Sequence, residues 1–261
     1  FRYLFGGTAN ITAAWYTFSE YARRGFFELV SVAVISLFLI LALNAITRRE
    51  SAVVGRVYIL LSTLVVGQVL VILVSAFQRL LLYENAYGFT RLRVYTHIFI
   101  PWLGLLLVAT ILLQILRRDQ YFGAALVAVV FGFALSFPLL NIDGLIARQN
   151  IARARAMMDL DGVTLLNLSD DALPALVNGF RQADQPEKVR ATLGAVLACR
   201  SYRNEQQSVQ PWQSYHPGIA ASRRWLASAD LSAFPVVNSE NNPGVNLEGE
   251  FFACFQASGM D

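Results

Sequence analysis

Glu20, Arg23, Arg24 and Glu28 stand before and at the start of a long apolar stretch. Glu84, Arg91 and Arg93 lie in a loop expected over 79–93 after the next such stretch, with Tyr83, Tyr87 and Tyr95 around them, and His97 comes just after. Asn141 and Asp143 close the last apolar stretch. Guanidiniums and aromatics gathered at a membrane edge can hold a lipid headgroup, an anionic ligand or the charge of a partner. A carboxylate among them, Glu20 or Glu84, could pass a proton in an acid/base reaction. The same residues also have a purely structural use, as ion pairs and aromatic anchors that set helix tilt. Both uses require the groups to converge on one membrane face.

Other constellations are thinner. Cys199, His216 and Cys254 are spaced by 17 and 38 residues, which matches no compact zinc pattern. The chain carries no Gly-x-Ser-x-Gly elbow, no Walker loop and no dinucleotide fingerprint. No catalytic residue, metal site or cofactor is assigned. Ala124, Ala128, Gly132 and Ser136 recur every four residues. That places four small side chains on one helix face, where a sister helix or a partner subunit can approach closely. An Ala-rich stretch can also produce such a row by chance.

The elements that must position these groups are written in hydropathy. Residues 26–46, 57–78, 94–116 and 121–142 form four apolar runs of 21, 22, 23 and 22 residues. About 20 apolar residues cross a bilayer core of roughly 30 Å, and only a helix satisfies the backbone there. Glu28 is the one formal charge within these runs, near an end. Ion- and proton-coupled carriers usually place ionisable groups at mid-span, so a complete carrier within these four runs is disfavoured. Asn44, Gln68 and Gln114 are among the polar residues inside them.

Residues 1–142 carry a net charge of +6 and residues 143–261 a net −3. The pI is about 9.0, but the excess arginines flank the apolar runs, as membrane anchoring requires, so no nucleic-acid partner is expected. Residues 1–25, with Trp15, Tyr16, Phe18 and Tyr21, read as an interfacial segment. The chain opens on Phe1, and a longer protein around it is expected.

The tail, 143–261, is long enough for one small soluble domain, mostly of short helices. Asp143 is placed to cap its first helix, Ser169 precedes a second with acids in its first turn, and Pro186 and Pro217 mark further helix starts. Residues 238–246 read as a loop rich in Pro, Gly and Asn, and 245–255 as strand or irregular chain. Alternation of the spans puts nine arginines on the side of the tail and five on the other, which favours a cytoplasmic tail. The five lie in short turns where the bias is strongest, and two tail cysteines suit an oxidising side. The side stays open, as does whether the cysteines pair.

Several words of the chain resemble a family of bacterial multi-pass membrane proteins known only as a domain of unknown function. They are YLFGG at 3–7, SEYARRGFFEL at 19–29, YENAYGFTRLRVY at 83–95, NIAR at 150–153 and LSDDALPAL at 168–176. The resemblance covers roughly residues 1–180, and nothing in the far tail adds to it. It implies a bacterial plasma-membrane location, further spans ahead of the first word, and no particular activity.

The expectation is an all-α polytopic membrane protein, with four transmembrane helices over 26–142 and a helical soluble tail. Its expected partners are the lipid bilayer and other membrane protein subunits, and its expected role is that of a non-catalytic subunit or scaffold. A transport or lipid-handling component, and an embedded enzyme acting on lipid-linked substrates, remain as alternatives.

Overall fold

Apolar runs with no water at hand must satisfy their backbone internally, and the first part of this chain is helix joined to helix by very short connections. The computed structural model describes residues 18–46, 52–157, 159–206, 217–239, 242–247 and 250–255. Helix α1 spans Phe18–Ile46, α2 Ala52–Tyr87, α3 Arg91–Ile115 and α4 Phe122–Leu140, the last entered through a 3-10 turn at Asp119–Tyr121. Three helical stretches, Val53–Leu82, Arg91–Ile115 and Asp119–Leu140, are long and apolar enough to cross a membrane. In α1 the apolar helical stretch is the shorter Val30–Asn44. The interfacial segment expected over 1–25 lies mostly outside the described residues.

Two corrections concern connections. Residues 79–93 were expected to form a loop, yet α2 continues to Tyr87 and α3 begins at Arg91. The stretch 79–87 holds neither Gly nor Pro, so nothing interrupts the helix until Gly88. Gly88 takes φ +81°, the left-handed conformation in which helices commonly stop. The second correction is at the end of α4. Asn141, at φ 41°, accepts the Gly144 N–H on its Oδ1 at 2.9 Å. Asn141 rather than Asp143 therefore caps the next helix, which frees the Asp143 carboxylate for other partners.

The chain divides into two compact units, 1–87 with 92–139, and 88–91 with 140–261. In the first unit, α1 packs along α2 and α3 joins their core. The buried positions keep a three-and-four spacing: Ala33, Leu37 and Ile40 on α1; Val66, Val69, Leu73, Ala76 and Leu80 on α2; Ile100, Leu103 and Leu107 on α3. That spacing is the seam of left-handed helix packing. Helix α4 differs, since none of its described residues is buried. It rests on α3 through aromatic edges, Phe99 against Phe133 and Tyr95 against Phe137. Ile35, Phe38, Leu60, Val127, Phe131 and Leu139 all face outward. So much exposed apolar surface is untenable in water and ordinary in lipid, and the protein is a membrane protein.

The second unit holds α5 Ile142–Met157, α6 Gly162–Leu166, a 3-10 turn at Asp170–Ala172, α7 Leu173–Arg181, α8 Glu187–Gln206 and α9 Pro217–Ala227. It ends in a three-stranded antiparallel sheet of β1 Val237–Ser239, β2 Asn242–Leu247 and β3 Glu250–Ala253, in the order β1-β2-β3. The described helices of the tail agree with the helical expectation, but where a loop was expected over 238–246, Val237–Ser239 and Asn242–Leu247 pair as antiparallel strands. The hairpin is held from outside itself. Cys199 on α8 is bonded to Cys254 just after β3. Leu166, Ala195, Ala198 and Val245 bury the two sulfurs in one cluster, and Arg203 Nε donates to the Cys254 carbonyl at 2.7 Å.

Candidate functional site

In the first unit, α2 carries Glu84 two residues beyond the apolar stretch that ends at Leu82, and α3 carries His97. The helical continuation past residue 79 brings the two together. His97 Nδ1 lies 2.9 Å from Glu84 Oε1, and Phe77 sets the edge of one ring against the other at 4.5 Å from the imidazole centroid. Glu84 is 0% exposed. Its Oε2 and the His97 Nε2 are both buried with no hydrogen-bond partner among the described residues. A buried acid usually pairs on every oxygen, because an unpaired one carries the full cost of losing water. Arg93 Nη1 donates to the Tyr87 carbonyl at 3.4 Å, and Tyr87 itself is exposed.

The second unit contains a polar knot. Arg91 meets the Asp143 carboxylate with two bonds, Nε to Oδ1 at 2.8 Å and Nη2 to Oδ2 at 2.5 Å. The fork geometry of the guanidinium suits such two-point pairing. The Ser169 N–H donates to the same Oδ2 at 2.6 Å. Burial works to raise the Asp143 pKa, but the Arg91 fork and the Ser169 N–H outweigh it and hold it at about 2. Asn150 clamps the neighbouring backbone from both sides, its Oδ1 accepting the Phe89 N–H at 2.7 Å and its Nδ2 donating to the Phe89 carbonyl at 2.9 Å. Gly88 permits the clamp, since a Cβ there would stand 2.9 Å from Asn150 Oδ1. Below, Arg200 is buried and donates from Nη2 to the Leu168 carbonyl at 2.5 Å, with Asp170 3.7 Å away. Asp170 in turn accepts the Ser222 hydroxyl at 2.7 Å.

The expected cluster is thus divided. Glu84 and His97 pair with each other, Arg93 bonds the backbone, and Arg91 belongs to the second unit with Asp143. Glu20, Arg23, Arg24 and Glu28 lie on α1, and their side chains fall outside the described residues. Of the thin metal set, the two cysteines are bonded to each other and His216 lies outside the described residues. The small-residue row is partly occupied by a sister helix. Trp102 of α3 sits over Gly132, where a Cβ would stand 2.1 Å from its Cη2, and its Nε1 donates to Ser136 Oγ at 3.1 Å. Ala124 and Ala128 remain exposed.

Sequence reasoning passed over Trp102, Ser169 and Arg200 as site residues. For Ser169 the signal was present, because the words YGFTR, NIAR and LSDD supply Gly88, Phe89, Arg91, Asn150 and Ser169 to one knot. No curated protein and no solved structure matches the chain. The words that meet in the knot all lie in the matched region: the chain belongs to the family described as Domain of unknown function (DUF4153), whose model matches residues 1–179.

Proposed function

We propose that this chain is a non-catalytic subunit or scaffold of a larger assembly in a bacterial plasma membrane, with α4 as the helix that receives a partner's membrane helix. On this reading α1 is a fourth span and residues 143–261 form a soluble domain. One observation carries it: α1, α2 and α3 bury a shared seam, whereas α4 buries none of its described residues. The small face of α4 is already used for close packing at Gly132 and Ser136, and Ala124 and Ala128 continue that face uncovered. Small residues of this kind let helix backbones approach closely where lipid offers no hydrophobic drive. The sealing of Glu84 also weighs against an acid/base enzyme, which needs a carboxylate open to its substrate.

The test is purification of the full-length protein from its native membrane in mild detergent. A second membrane protein should co-purify at fixed stoichiometry, and Ala124→Leu with Ala128→Leu should release it while the chain stays folded. A lone monomer, with nothing displaced by those substitutions, defeats the proposal.

A second reading, an interfacial ligand site of a lipid-handling or transport component, is favoured by Glu84 Oε2 and His97 Nε2, two buried atoms with no hydrogen-bond partner among the described residues. It predicts that Glu84→Gln changes lipid or ligand retention without releasing a partner protein.

A further inference from the structure

We propose that the tail, residues 141–255, folds on the oxidising face of its membrane and acquires its Cys199–Cys254 bond there from a disulfide-bearing thiol oxidase. The two residues are the only cysteines of the chain and are joined across a separation of 55 residues. Both are fully buried, among Leu166, Ala195, Ala198 and Val245. The bond fastens the end of β3 to α8, and the hairpin of β1 and β2 hangs on β3 through the β2 pairing. A structural disulfide in this position persists in an oxidising compartment and is rare where glutathione and thioredoxin keep thiols reduced.

The arginine tally opposes this only weakly. The nine tail-side arginines include Arg79, which is buried within α2 and not in a loop. Arg148, Arg153 and Arg155 lie within about 15 residues of the last span, where the bias is still read, but they sit on a long domain, and long domains cross largely regardless of charge. With α1 counted as a span, Arg2, Arg23, Arg24, Arg91, Arg93 and those three then face Arg48, Arg49, Arg56, Arg117 and Arg118, eight against five. The connection 88–90 carries no Lys or Arg. The opposite turn carries Arg117 and Arg118, both exposed. The margin rests on the three arginines of the domain, and the disulfide decides.

The chemistry closes on thiol–disulfide exchange. One cysteine thiolate attacks the oxidase disulfide, forming a mixed disulfide and releasing one oxidase thiol. The second cysteine thiolate displaces the other oxidase sulfur. The chain loses two electrons and two protons, and the oxidase leaves as the dithiol.

The experiment uses spheroplasts of a bacterium expressing the full chain with its native cysteines. Ala233→Cys, on an exposed tail turn, and Gln120→Cys, on the opposite connection, are labelled with a membrane-impermeant maleimide. The cysteine at 233 should label from outside, and the one at 120 only after the membrane is permeabilised. In the unsubstituted chain, acid-quenched and denatured, a polyethylene-glycol maleimide should add twice after reductant and not at all before it. Reversed labelling, or two reactive thiols without reductant, overturns the proposal.

Discussion

Asp143 shows how one carboxylate holds a fold together. It is buried, forked by Arg91 and bonded by the Ser169 N–H. Its folded pKa of about 2 lies below the ordinary 3.8. The stability it contributes is therefore complete above roughly pH 4 and drains as pH falls toward 2. In the full-length chain in detergent, this group should account for a loss on the order of 2 kcal/mol across that window, discounted for the half-exposed guanidinium. Asp143→Asn should remove that part of the acid dependence and lower thermal stability at pH 7. An acid limb identical in the two proteins would refute the assignment. Gly88→Ala offers a second check, because it forces a side chain into φ +81° against Asn150. It should cost about 1–3 kcal/mol, read as a lowered melting temperature. Arg91 and Asp143 were visible in the sequence only as separate charges expected on the same side of the membrane. Which acid Arg91 would choose was not, because Glu20, Glu28, Glu84 and Asp143 all stood as equal candidates until helix lengths set the distances.

At the scale of elements, hydropathy marked α3 and α4 to within about three residues at each end, because lipid leaves the backbone no other conformation. It misjudged where α2 ends, since charge and tyrosines suggested a loop while only Gly88 can stop the helix. It also presented Ala124, Ala128, Gly132 and Ser136 as one equivalent row. Trp102 breaks that equivalence. Gly132→Leu should strain the chain itself by about 1–3 kcal/mol through overpacking against the indole. Ala124→Leu should leave the isolated chain within about 0.5 kcal/mol. Thermal unfolding of the two purified variants separates them, and equal melting temperatures would show that the indole does not occupy that face.

At the scale of the whole molecule, the disulfide joins parts of the tail that local propensity would not bring together. Cys199→Ser with Cys254→Ser opens a loop of 55 residues. The chain-entropy argument gives about 4 kcal/mol for a loop of that size, and removal of native bonds typically costs 2–5 kcal/mol. Limited proteolysis of the full chain should then cut within 237–255 at least tenfold faster, and an unchanged rate would show the hairpin standing by itself. The sequence alone determined that this is a membrane protein of long apolar helices with charge at their rims, because bilayer thickness and backbone satisfaction leave no other solution for such runs. It also carried the family membership, through words that read in order along the chain. Tertiary structure alone decided that Glu84 takes His97, that Arg91 takes Asp143, that Trp102 fills half of the small-residue face, and that Cys199 takes Cys254. Each of those pairings joins residues of different elements, and hydropathy and spacing describe one element at a time.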